Sequence, residues 1–302
     1  MFSDTVLDLA AQFDVPPVVP PPGSPPTIPH PRPIPYFSRI GHAGHTAQWV
    51  VFVIFLVSAL GFLGLGSRVA KKHRAFHAIN VAITGIACLS YFAMATRTGS
   101  TFIYQGHKIV QGKEVAVLRQ VYWARYVDWA LTTPMLLLDL GLLAGLPWFD
   151  IICLLAVDEG MIITGLISAF LKESAVKWGW YAFACIFLVY ILYTLLWTGR
   201  QSARIQSSQV FRLFNMLTLW TVLLWIAYPI IFALSEGTGM ISPSAEAIAY
   251  AVVDVLAKSA FGYWLVLHRT YADDEYSVVT LPQSWVEPRG QTNGIIHLPG
   301  DE

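Results

Sequence analysis

Asp254 and Lys258 stand four residues apart inside an apolar run from Ile248 to Leu267. A lysine at the centre of a membrane-crossing helix costs about 2.5–3.5 kcal/mol on insertion scales, so a residue of this kind marks function. Its amine can condense with an aldehyde to form a Schiff base. A carboxylate at i−4 lies on the same helical face and can neutralise the resulting cation. A second apolar stretch carries Arg125, Asp128, Thr132 and Asp139. Asp128 and Asp139 fall on one face, about three turns and roughly 16 Å apart along a helix axis. Two carboxylates stacked at different depths are what a proton path needs. A purely structural role accounts for one buried acid, but not for this whole stripe together with Asp254 and Lys258.

Seven apolar runs must position these groups, at 47–67, 75–97, 118–143, 148–171, 177–198, 210–234 and 244–268. Each is near or above the roughly 20 residues that cross a hydrocarbon core about 30 Å thick. The expected fold class is therefore an all-α membrane protein, a seven-transmembrane-helix bundle. Composition agrees. Of the 302 residues 55% are hydrophobic and 13% charged, where a soluble domain carries about 25% charged. Mean hydropathy is +0.55 and the isoelectric point about 7.1, so nothing points to nucleic acid. Cys88, Cys153 and Cys185 lie in apolar stretches without metal-ligand spacing and are expected to be small buried hydrophobes. No metal site is expected.

Residues 1–45 form a different region. Val15 to Pro35 is dense in proline, which predicts an extended, disordered tail. It lacks the basic and apolar regions of a signal peptide. Residues 46–270 form the helical domain, and 271–302 a polar, flexible tail. Arg68, Lys71, Lys72 and Arg74 follow the first run, and Arg200, Arg204 and Arg212 follow or border the fifth connection. Positive loops stay in the cytoplasm, which puts the N-terminus outside and the C-terminal tail inside. The segment between Arg97 and Arg119 alternates in polarity and contains Gly106 and Gly112, predicting a short outside hairpin.

The segment Arg125–Leu140 (RYVDWALTTPMLLLDL), with Trp225-Ile-Ala-Tyr228-Pro229 and Asp254-Val-Leu-Ala-Lys258, closely resembles the microbial (type 1) rhodopsins. The fungal proton-pumping group, similar to bacteriorhodopsin, shares these motifs over about residues 47–270. The resemblance implies a buried retinal pocket, with all-trans retinal on Lys258 as a protonated Schiff base. It implies Asp128 as proton acceptor, with Asp254 and Arg125 completing the counterion cluster and Thr132 hydrogen-bonded to Asp128. Asp139 would be the cytoplasmic donor, and Glu236 and Glu246 the pair that releases the proton outside. Tyr91, Trp129, Thr133, Met161, Gly165, Tyr181, Trp225, Tyr228 and Phe232 would line the retinal pocket, and Tyr126 would share hydrogen bonds with Tyr228 and Asp254.

Each implied role has a physical basis. A buried Schiff base cation keeps its proton only beside carboxylates, and a donor acid among Leu136, Leu137, Leu138 and Leu140 holds its own. Trp225, Tyr228 and Phe232 recur at i, i+3 and i+7, one stripe on one helix. Tyr181 and Phe232 depart from the tryptophans usual in pumping relatives, and Asp158-Glu159 adds an acid pair with no role assigned to Glu159. The expected activity is light-driven outward proton transport in the plasma membrane, with lipids and protons as partners and a possible homo-oligomer. It is not an enzyme. The rivals are a photosensor that pumps weakly, an anion or sodium pump, and a receptor without retinal. Asp139 opposes the first, Asp128 with Asp139 the second, and Lys258 the third.

Overall fold

The computed structural model describes residues 34–110, 112–172 and 174–270. Among them, seven helices are long and apolar enough to cross a membrane. They are α1 (His42–Ser67), α2 (Ala75–Ala95), α3 (Trp123–Ala144), α4 (Trp148–Phe170), α5 (Ser174–Gln206), α6 (Ser208–Gly237) and α7 (Pro243–His268). Leu60, Val57, Leu223 and Val189 are each at least 60% exposed, the apolar outer surface of a bundle whose solvent is lipid. Ser207 caps α6 by accepting from Val210 N, and Ser242 caps α7 by accepting from Ala245 N, with Pro243 in the first turn. These are the side-chain caps and proline placement that start a helix.

Three helices widen locally to π geometry, at Thr194–Gly199 in α5, Ala233–Gly237 in α6 and Leu256–Ala260 in α7. Single π turns concentrate at functional sites because they re-aim side chains and free a carbonyl. In α7 the first carbonyl of this turn takes a second donor: Leu256 O accepts from Phe261 N and also from Trp220 Nε1 on α6 at 3.1 Å. That bond ties α6 to the turn that carries Lys258.

A three-stranded sheet covers one end of the bundle. Strands β1 (Tyr36–Ser38), β2 (Thr101–Val110) and β3 (Lys113–Val121) stand in the order β1-β3-β2. The expected hairpin is β2–β3, antiparallel, with a register shift between Tyr104 and Gly106. Gly106 (φ +148°) and Gly112 (φ +73°) take backbone conformations that a side chain resists. Because β3 occupies residues expected to open the third apolar run, α3 begins at Trp123 rather than 118.

One expectation is corrected here. The expectation of a disordered tail over 1–45 does not hold for residues 34–45, which contain β1 and the start of α1. The reason is pairing at long range, which local composition does not reveal. β1 runs parallel to β3 with Tyr36 opposite Val117, and Ile40 N donates to Gln120 Oε1 at 3.1 Å. The Arg39 guanidinium lies 4.9 Å from the Phe37 ring and 5.3 Å from that of Phe102. The remainder of the two expected tails, 1–33 and 271–302, lies outside the described residues.

Candidate functional site

Lys258 is 1% exposed and sits in the π turn of α7. Its Nζ donates to Asp128 Oδ2 on α3, and Asp254 Oδ1 lies 3.8 Å away. Both carboxylates are fully buried. The three residues that the spacing singled out on two helices thus meet as one cation between two anions. A buried charge in this setting is tolerable only when so paired.

The two carboxylates are not equivalent. Asp254 accepts from Tyr91 OH at 2.6 Å, from Tyr228 OH at 2.7 Å and from Trp129 Nε1 at 3.3 Å. Both of its oxygens are therefore already held by donors. Asp128 takes the Lys258 bond on one oxygen, while Oδ1 has no hydrogen-bond partner among the described residues. Space for a proton is at Asp128.

Four expected contacts take a different form. Thr132 Oγ1 donates to the main-chain oxygen of Asp128 at 2.7 Å, not to its carboxylate. At i+4 a threonine hydroxyl reaches the preceding turn's carbonyl more readily than a side chain. Arg125 hydrogen-bonds Glu246 rather than Asp128 or Asp254, although its charge still acts on Asp128. Tyr126 donates to Glu236 and not to the Asp254 network. Tyr91 serves Asp254 and is absent from the cavity wall described below.

On the other side of Lys258, Asp139 is fully buried on α3. Asn80 Nδ2 on α2 donates to its Oδ2 at 2.7 Å and to Phe76 O at 2.9 Å. Sequence reasoning missed Asn80. The signal was a lone amide in the middle of the second apolar run, unweighted because it carries no charge. The amide explains how the acid is held in a specific geometry among the leucines.

The opposite end, beneath the sheet, holds a second cluster. Glu246 accepts from Arg125 Nη1 at 2.7 Å through one oxygen and from Arg119 Nη2 at 2.7 Å through the other. Glu236 accepts from Tyr126 OH at 2.5 Å. Lys177 Nζ donates to the main-chain oxygen of Glu236 at 3.0 Å. All five of Arg119, Arg125, Lys177, Glu236 and Glu246 are buried. Arg119 and Lys177 were not singled out in the sequence, because one reads as a loop charge and the other as a helix-end charge.

Between α3, α4, α5 and α6 lies a cavity walled almost entirely by apolar and aromatic atoms. Of the expected pocket residues, Trp129, Thr133, Met161, Gly165, Tyr181, Trp225, Tyr228 and Phe232 line it. Tyr181 and Phe232 stack with ring centroids 5.4 Å apart, and Tyr181 OH donates to Pro229 O at 3.1 Å. A methyl group placed on Gly165 would meet nothing within 4 Å. Trp129 and Tyr228 belong both to this wall and to the donors on Asp254, so these two side chains link the cavity to the carboxylate one turn from Lys258. Thr133 Oγ1 also donates to Asp158 Oδ2 at 2.7 Å, which accounts for one acid of the Asp158-Glu159 pair.

The chain is similar to known proteins in both sequence and fold. The family model described as bacteriorhodopsin-like protein matches residues 42–272. The opsin-like protein carO of Fusarium fujikuroi is 42% identical over 223 residues, covering 74% of this chain and 72% of its own. Opsin-1 of Neurospora crassa is 38% identical over 271 residues, covering 87% of this chain and 88% of its own. The crystal structure of the light-driven proton pump LR (Mac) from Leptosphaeria maculans superposes with a TM-score of 0.76 at 40% identity. It covers 79% of this chain and 100% of that one.

Proposed function

The chain belongs to the bacteriorhodopsin-like family of microbial, type 1 rhodopsins and is similar to its fungal members, and on that premise we propose that it is a light-driven outward proton pump. Members of the family are multi-pass, retinal-binding ion transporters rather than enzymes, and retinal attaches through a lysine. For this chain the attachment point is Lys258 and the isomer is all-trans. The residues present fit the group: a buried amine flanked by two carboxylates is joined through Trp129 and Tyr228 to an aromatic-walled cavity in which Gly165 leaves space. When bound, retinal supplies a light-driven change in the position and proton affinity of the Lys258 nitrogen.

The remaining chemistry is the protein's own. Asp128 accepts the proton of the Lys258 nitrogen, because it already holds the hydrogen bond and has an oxygen to spare. Asp254 stays ionised under its three donors and keeps the nitrogen's charge compensated. Asp139 returns a proton from the other side, oriented by Asn80. The outer cluster around Glu236 and Glu246 passes a proton on to the exterior. The single observation that carries this reading is the placement of Asp128 and Asp139 on one helix, with Lys258 bonded to the first. Each transfer needs a positioned acid or base within hydrogen-bond reach.

Direction follows from the ends of the bundle. Ser202 Oγ near the end of α5 donates to Ala144 O at the end of α3, so the basic connection after α5 lies at the Asp139 end. Loops rich in Lys and Arg remain cytoplasmic. In a plasma membrane this supports an N-terminus and a sheet on the outside, with transport running outward. Illuminating retinal-supplied cells while recording external pH tests the proposal. Acidification that a protonophore abolishes is expected. A coloured pigment with a slow cycle and no acidification would mean a sensor instead.

A further inference from the structure

We propose that Arg119 is a positioning residue which, with Arg125, locks Glu246 as a carboxylate, leaving Glu236 as the outer group that holds and gives up the proton. The consequence for transport rests on the pump reading above; the protonation states do not.

Hydrogen-bond chemistry decides between the two glutamates. A guanidinium offers donors and no acceptor. Each oxygen of Glu246 faces a different guanidinium at 2.7 Å. A proton on either oxygen would remove the charge that both guanidiniums face and weaken the bond to that oxygen, so protonating Glu246 is costly while both arginines stay. Withdrawal would strand a buried cation, which is strongly unfavourable. Arg119 and Arg125 are 3% and 2% exposed.

The arginines are also held from outside the pair. Arg119 Nη1 donates to Ile241 O at 3.0 Å, and the strand β3 fixes its backbone. Arg125 lies 4.2 Å from the Tyr250 ring and 5.5 Å from that of Tyr122. The sheet at this end of the bundle therefore does more than cover it: β3 delivers the second guanidinium.

Glu236 is arranged otherwise. Tyr126 OH donates to Oε2, and Oε1 has no hydrogen-bond partner among the described residues. The nearby ammonium of Lys177 is directed to the main-chain oxygen. The groups acting on Glu236 are thus Tyr126 and Arg125 from α3, Lys177 from α5, Arg119 from β3, and Glu246 and Tyr250 from α7. None of them places a donor on Oε1. This oxygen is the place for the proton, and its loss to external water leaves a carboxylate whose charge Arg125, Arg119 and Lys177 offset.

Infrared spectra of the retinal-reconstituted pigment, taken in the dark at neutral pH, test this without requiring transport. A carboxylic-acid C=O band should vanish in Glu236→Gln and persist in Glu246→Gln. Arg119→Gln should gain a second such band, which the added change Glu246→Gln removes, while Arg119→Lys should not gain it. A band lost in Glu246→Gln but kept in Glu236→Gln would overturn the proposal. An Arg119→Gln spectrum identical to the unmodified pigment would do so too. If Arg119→Gln gives no pigment, the two glutamate variants still decide the assignment. A pigment that shows this band pattern but moves no protons would count against the pump reading alone.

Discussion

Lys258 and Asp128, 130 positions apart in the chain, meet as an ion pair in which neither side chain is more than 1% exposed. Asp254 is only one helical turn from Lys258 but stands further off, at 3.8 Å, and its oxygens are occupied by hydroxyl and indole donors. The residue nearer in sequence is thus the fixed counter-charge. The more distant one is the partner free to take a proton.

Asp128→Asn removes that acceptor while keeping the side chain's size. Proton transfer by a positioned base contributes roughly 10²–10⁴-fold, so light-driven transport should fall to background. The visible absorption should also move, since the cation loses its bonded anion. Flash photolysis and external pH recording check both.

Asp139→Asn should slow recovery of the dark pigment by about 10²-fold or more, since the returning proton loses its positioned source. Asn80→Leu should slow it less. This variant leaves Asp139 in place but takes away an amide bond at 2.7 Å. Leaving a buried polar group without that partner costs about 1–3 kcal/mol. Recovery times of the two variants, measured side by side, rank the roles; equal slowing would argue against the ranking.

Gly165→Ala should retain pigment formation, because the added methyl meets nothing within 4 Å. Gly165→Phe should fill the cavity and reduce retinal uptake, with the fold intact by circular dichroism. Uptake unchanged in the phenylalanine variant would place the chromophore elsewhere.

Gln120→Ala should loosen the sheet without touching Lys258, Asp128 or Asp254. Gln120 accepts from Ile40 N at 3.1 Å and donates to Ser100 Oγ at 2.9 Å, linking β1's connection to the hairpin. Each such bond is worth about 0.5–1.5 kcal/mol net. Faster hydrogen exchange at residues 36–41 is expected, with the absorption spectrum unchanged.

Much of this was legible in the sequence, for a physical reason. Charges inside apolar runs are costly enough to stand out one by one, and helical periodicity orders them. Lys258, Asp254, Asp128 and Asp139 could therefore be placed before any coordinates. What stayed hidden depends on contacts between distant segments. β1 pairs with residues some 80 positions away, as Ile40 does with Gln120, and no local pattern encodes that. Asn80 is uncharged and Arg119 lies on a strand, so neither stood out. The direction in which Arg125 points was likewise beyond reach, since a long side chain at a known position still chooses between partners. Spacing locates the backbone and leaves the side chain's end undetermined.

The most direct test compares the unmodified pigment with Asp128→Asn in cells, under one light source, following external pH with and without a protonophore. Outward pumping predicts acidification from the unmodified pigment, its abolition by the protonophore, and none from Asp128→Asn. An unmodified pigment that absorbs light and cycles yet leaves external pH unchanged, or raises it, would contradict the account.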